Sequence, residues 1–82
     1  MTQIATKIHT IIESCAPAHD SPITDGTTLA DLQMDSLDMA DLIVSIEAEF
    51  DVDVSEQDES KYFSAGTTVG EIAAWAEKKF GN

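Results

Sequence analysis

The sequence has no arginine, and Lys7, Lys61, Lys78 and Lys79 are its only bases against sixteen acids, a net charge of −12. A chain so short of positive charge is repelled by nucleic-acid phosphates and by anionic lipid, which excludes both as binding partners. Cys15 is the single cysteine, so an internal disulfide and a cysteine-based metal cluster are excluded as well. No apolar run approaches the roughly 20 residues that span a bilayer. Met1-Thr2-Gln3-Ile4 lacks the basic segment and apolar core of a secretory signal. The expectation is a cytoplasmic protein.

What remains is a chain of 82 residues, 43% hydrophobic, with the composition of one small folded domain spanning residues 1–82. Its acids are not scattered: they crowd between Asp31 and Glu59. Proteins with basic patches are the natural partners of such a surface.

Hydrophobic periodicity locates the helices. Ile4, Ile8, Ile11, Ile12 and Cys15 recur at helical spacing, which predicts a first helix from about Thr2, its N-cap, to Cys15, where Pro17 ends it. Cys15 is expected to be a buried small hydrophobe and His9 to be solvated. Residues 16–34 read as a long loop with turn signals at Pro17, Pro22 and Asp25-Gly26, pinned to the core by Ile23, Leu29 and Leu32. Within it, Thr28 to Asp31 reads as a capped single turn.

A second helix opens at Asp35-Ser36, with Asp38 completing a short-armed capping box. Met39, Leu42, Ile43, Ile46 and Phe50 form its buried stripe, and Leu37, Ala40 and Val44 flank it. Asp51 to Val54 alternates but has no partner strand, so it is an extended connector. A short third helix falls within Ser55 to Phe63, with Tyr62 and Phe63 turned inward and Gly66-Thr67 ending it. The last helix starts at a Thr68…Glu71 capping box and carries Val69, Ile72, Ala73, Ala76 and Phe80 on one stripe. Trp75 is expected to be a half-buried core residue. The fold class is all-α: a small four-helix bundle, three main helices plus the short third, with a long first loop.

Ser36 is the residue that calls for explanation. A catalytic nucleophile needs a base, but the only histidines are His9 and His19, and Asp35 and Asp38 would destabilise an alkoxide. The chain is not expected to be an enzyme, and no residue is assigned a catalytic role. A hydroxyl at the head of a helix is, however, easily reached by another enzyme that brings its own base and metal. A covalent phosphate there is helped by the helix dipole by about 0.3–1 kcal/mol, which the flanking aspartates offset.

Asp35-Ser36-Leu37-Asp38, followed by Leu42, Ile46, Glu47, Glu49 and Phe50, resembles the phosphopantetheine-attachment region of bacterial acyl carrier proteins, and the likeness extends over nearly the whole chain. The resemblance implies that a separate phosphopantetheinyl transferase, using coenzyme A and magnesium, attaches 4′-phosphopantetheine to Ser36, with Asp35 and Leu37 beside it. The arm's thiol would then carry acyl groups as thioesters between enzymes of fatty-acid, polyketide or related lipid synthesis. It also implies that Asp38, Asp41, Val44 and Glu47, with Asp35 and Leu37, form the recognition face for basic patches on the transferase and acyl-processing enzymes. Acyl chains would tuck against Leu42 and Ile46, and the carrier would act as a monomer. Gln33-Met34 stands where the family often has a small Gly-Ala pair, and extra residues near Lys61 to Gly66 separate the third and fourth helices, which points to a specialised carrier.

Three other readings compete with this one. Asp51, Asp53 and Ser55 start like a calcium loop, but Glu56 stands where a glycine is needed and Tyr62 where a bidentate glutamate belongs, so no metal site is assigned. A freestanding peptidyl or aryl carrier is the alternative within the carrier class. An acidic interaction module without a prosthetic group is the alternative from another class. The alanines Ala40, Ala48, Ala73, Ala74 and Ala76 suggest a loosely filled interior. The acids from Glu47 to Glu59, offset nearby only by Lys61, are expected to crowd and to have raised pKa values.

Overall fold

The computed structural model describes residues 3–16 and 22–81, which form four helices: α1 (Gln3–Cys15), α2 (Ser36–Phe50), α3 (Glu56–Tyr62) and α4 (Val69–Phe80). The described residues contain no strand, and the protein is all-α. α1 packs against both α4 and α2, and α3 packs against α4. Thr2, expected as the first cap, and His19 and Pro17 lie outside the described residues.

α2, α3 and α4 each begin where side chains satisfy free N–H groups of the first turn. The Asp38 amide donates to Asp35 Oδ1 at 2.9 Å while the Asp35 amide donates to Asp38 Oδ2 at 3.2 Å, so the expected short-armed capping box is formed in full. Thr68 and Glu71 repeat the device on α4, and the Asp58 amide donates to Ser55 Oγ at 3.1 Å to start α3. Carboxylates of Glu56, Asp58 and Glu59 in the first turn of α3, with Lys61 in its last, suit the dipole of a helix that buries no residue of its own. That helix ends at Tyr62, and a separate turn, in which Thr67 is buried and its amide donates to Ser64 O, fills the stretch to Gly66.

The core joins Ile8 and Ile12 of α1 to Leu42 and Ile46 of α2 and Ile72 and Ala76 of α4, all fully buried. The long loop contributes Leu29 and Leu32 to this core and packs Ile23 against it, so it is ordered by the hydrophobic pins read in the sequence. All five aromatic residues of the chain join one cluster. Phe50 stacks on Phe80 with ring centroids 5.2 Å apart, and Trp75 meets Phe80, Phe63 and Tyr62 at 5.3, 5.4 and 5.9 Å.

The packing corrects several expectations. Trp75 is only 5% exposed, because three rings close over it. Ala40, Ala48 and Ala74 face solvent and loosen nothing in the interior; only Ala73 and Ala76 are core. Cys15 is half-buried with its Sγ 3.7 Å from Ser45 Oγ, since the end of α1 runs past α2 at the rim of the core. His9 is not solvated: its Nε2 lies 3.0 Å from Asp25 Oδ1, and the long loop folds back over α1 to make that contact.

The acids at the end of α2 and in α3 are also better compensated than their sequence neighbours suggest. Lys7 reaches from α1 to Glu49 at 3.3 Å, and Lys79 reaches from α4 to Asp58 at 3.2 Å. The Asp58 carboxyl is held below its ordinary range, the reverse of the expected direction. The neighbouring Trp75 indole is the leading cause, and Lys79 adds to it.

Candidate functional site

The approach to Ser36 is built by a single turn that the chain closes at both ends. At its start the Thr28 amide donates to Asp31 Oδ2 at 3.1 Å and the Asp31 amide to Thr28 Oγ1 at 3.0 Å, the capped turn read from the sequence. At its end the Gln33 amide donates to Ala30 O at 2.9 Å and the Met34 amide to Leu29 O at 3.1 Å, with Gln33 at a φ of 58°. This paired pattern around a left-handed residue is a Schellman motif, and its usual apolar contact is supplied by Met34 and Leu29, both buried. The reversal delivers the chain directly to Asp35, the N-cap of α2.

Ser36 is therefore the first helical residue of α2. It is exposed, and its hydroxyl makes no hydrogen bond among the described residues. Asp35 and Asp38 are turned toward each other's backbone amides, which fixes the helix start without using the serine. The Asp38 amide is taken by the Asp35 carboxylate and the Met39 amide by the Asp35 carbonyl, which leaves the amides of Ser36 and Leu37 without a partner inside the helix. An exposed, unbonded hydroxyl on a rigid helix end fits the covalent attachment of a phosphate-bearing arm.

Along α2 the side chains proposed for recognition divide into two groups. Leu37 and Val44 are 71% and 61% exposed, the large hydrophobics most open to solvent among the described residues. They are two turns apart and share a face with exposed Ala40 and Asp41, which makes an apolar strip with acids beside it. Asp38 lies at its upper edge, half-buried by its capping role. Glu47 belongs elsewhere: its Oε2 accepts the Val54 amide at 2.9 Å, and its carbonyl accepts the amides of Asp51 and Val52, so it ties the connector to the end of α2. Asp51 closes that end in the left-handed region, at a φ of 54°.

Leu42 and Ile46 lie wholly inside the core and are brought together on the face of α2 opposite the strip. A shallow groove on the α1–α2 seam is lined by Thr10, Ile11, Ser14, Ser45, Ala48 and Glu49, and neither Leu42 nor Ile46 reaches it. Gln33 was legible in the sequence only as a departure from a small residue. Its left-handed conformation follows from hydrogen bonds that sequence patterning does not show.

Comparison with known proteins bears on this arrangement. Residues 6–76 match the family model for the phosphopantetheine attachment site. The chain is 38% identical over 80 residues to the acyl carrier protein of Thermotoga maritima, covering 96% of this chain and 94% of that one. It is 32% identical over 69 residues to the acyl carrier protein of Bdellovibrio bacteriovorus, covering 84% and 83%. No solved structure matches.

Proposed function

The chain belongs to the phosphopantetheine-attachment family that includes the acyl carrier proteins, and on that premise we propose that Ser36 carries the phosphopantetheine arm and that residues 1–82 act as one carrier domain. The observation that carries this assignment is the exposed, unbonded hydroxyl at the first position of α2, held in place by the Asp35–Asp38 capping box and bordered by the Leu37–Val44 strip.

In the attachment step, Ser36 Oγ bonds to the phosphorus that bears the pantetheine half of coenzyme A. The pyrophosphate bond breaks, a nucleotide bisphosphate leaves, and a base of the transferase takes the hydroxyl proton. The attached arm ends in a thiol that holds acyl groups as thioesters. This chain supplies a rigid anchor and a docking face, and the enzymes of fatty-acid, polyketide or related lipid synthesis supply the chemistry.

Leu37 and Val44 offer desolvation energy at the centre of a contact, and Asp35, Asp38 and Asp41 meet basic side chains around it. Ion pairs at a surface are worth about 0.2–1 kcal/mol each, so docking is fast and readily reversed, as a shuttle requires. Leu42 and Ile46 line the interior that a bound acyl chain would enter, favoured by roughly 0.8 kcal/mol per buried methylene against the cost of parting the helices. A monomer in the cytoplasm is consistent with this role, and none of the described helices is long and apolar enough to cross a membrane.

The test is intact mass after incubation with coenzyme A, magnesium and a promiscuous transferase. The wild-type chain gains one phosphopantetheine, and Ser36→Ala gains none while its helical circular-dichroism spectrum is unchanged. Modification of the Ala variant at another serine overturns the assignment.

A further inference from the structure

From Leu29 to Val44, when the carboxyls are ionised, only Gln33 and Ser36 carry a side-chain N–H or O–H. The same stretch holds Asp31, Asp35, Asp38 and Asp41 and no base. A phosphodiester on Ser36 would therefore sit among carboxylates, with one neutral donor side chain three residues upstream.

That donor occupies an unfavourable backbone position. Gln33 is the left-handed residue of the Schellman motif, where glycine is the low-strain choice because it has no Cβ. Its side chain is exposed and makes no hydrogen bond among the described residues, so the side chain itself does nothing within them to offset the strain. An exposed carboxamide with no partner among the described residues, on a left-handed residue three positions before the attachment point, is suited to bind something outside the polypeptide. Its N–H groups can meet phosphodiester oxygens without adding a charge that the neighbouring aspartates would capture.

We infer that Gln33 is an arm-binding residue whose carboxamide donates to the phosphodiester oxygens of the group on Ser36. This rests on Ser36 being the attachment site. The contact would hold the base of the arm against the turn at residues 28–34, restricting the directions in which the arm leaves the helix.

The experiment compares the full chain in its apo and arm-loaded forms, as wild type, Gln33→Gly and Gln33→Glu. In the wild type the Gln33 side-chain amide resonances, identified by their absence from the Gly variant, move on loading while those of Gln3 and Gln57 do not. The 31P resonance of the loaded arm shifts between wild type and Gln33→Gly. Relief of strain raises the apo melting temperature of the Gly variant by about 4 °C, and the rise is distinctly smaller in the loaded form, which loses the hydrogen bond. Gln33→Glu places a carboxylate against the phosphate and lowers the loaded melting temperature more than the apo one.

Gln33 amide and 31P resonances that ignore these changes, with equal thermal shifts in both forms, overturn the inference while leaving Ser36 modified. A Gln33→Gly variant that alters only the rate of the transferase also overturns it, and places Gln33 against the partner enzyme. A wild-type chain that gains no mass overturns the reading of Ser36 and this inference with it.

Discussion

Thr28 and Thr68 face each other across an isolated antiparallel bridge, and each caps the turn that follows it with its own hydroxyl. The Leu29 amide donates to Thr67 O at 3.0 Å and the Val69 amide to Thr27 O at 2.8 Å, so the bridge is closed from both sides. The turn that leads to Ser36 is thus fastened to the start of α4. Loss of one such cap costs about 1 kcal/mol. Thr68→Ala should lower the melting temperature by about 4–8 °C. Because the two caps share the bridge, the Thr28→Ala, Thr68→Ala pair should depart from additivity in a double-mutant thermal melt.

Gly70, the second residue of α4, lies in the same junction. A Cβ built there would stand 2.9 Å from Asp25 O and 3.0 Å from Asp25 Cβ, and Asp25 O accepts the Gly70 amide at 2.9 Å. In an unhindered helix, alanine is favoured over glycine by about 1 kcal/mol. Here Gly70→Ala should instead destabilise, because the displaced backbone also carries the carboxylate that holds His9. Gly66 has open space around its Cβ position, so Gly66→Ala should melt within about 0.5 kcal/mol of wild type.

Asp58 gives a pH signature. Its folded-state pKa is depressed below the ordinary 3.8 by the Trp75 indole first and Lys79 next. A carboxyl with a depressed folded pKa contributes stability that is present above the unfolded value and is lost as pH falls through the folded one. The melting temperature of the wild type should therefore carry an Asp58-dependent decline below about pH 3.8. Asp58→Asn should be less stable near neutrality and should show a shallower acid decline in melts collected from pH 7 downward. A variant with the same acid limb as wild type would show that Asp58 contributes nothing to it.

Leu37 and Val44 should separate docking from folding. Both are exposed, so Leu37→Ala and Val44→Ala should change stability by less than about 0.5 kcal/mol. Burying a leucine in a partner is worth roughly 1.5–3 kcal/mol, so Leu37→Ala should lower the transferase kcat/KM by about tenfold or more. Asp38→Lys and Asp41→Lys should slow the same reaction by an amount that shrinks with added salt, whereas the Leu37 effect should not. Salt-insensitive losses in the Asp variants would remove electrostatic docking from the account.

What could be read from the sequence were the features in which cause and effect lie within one turn. The Asp35–Asp38 and Thr68–Glu71 boxes, and the Thr28–Asp31 turn, are legible because a cap and its partner sit at a fixed offset of three. Of the stripe that helical spacing predicts on α2, Leu42, Ile43 and Ile46 are buried and Met39 and Phe50 partly so, while Leu37 and Val44 on its flank are exposed. The contacts that were missed join residues far apart in the chain: His9 with Asp25, Lys7 with Glu49, and Lys79 with Asp58. Their side chains meet only because of how α1 and α4 pack, which no local pattern encodes. Spacing gives the side of a helix that Glu47 occupies, but not that its carboxylate bends back to the Val54 amide.

The clustering of all five aromatic rings has an optical consequence. Tyr62 sits 5.9 Å from the only tryptophan, close enough for excitation absorbed by the phenol to pass almost wholly to the indole. The folded protein should emit as a pure tryptophan source, with tyrosine emission returning only when α3 and α4 separate. Phe50, the residue of α2 that joins the cluster, stands at the opposite end of a 15-residue helix from Ser36, about 21 Å away along its axis. Intrinsic fluorescence therefore watches one pole of the molecule while the proposed chemistry occurs at the other, and the spectrum should stay dark to loading of the arm unless the change is carried down the length of α2.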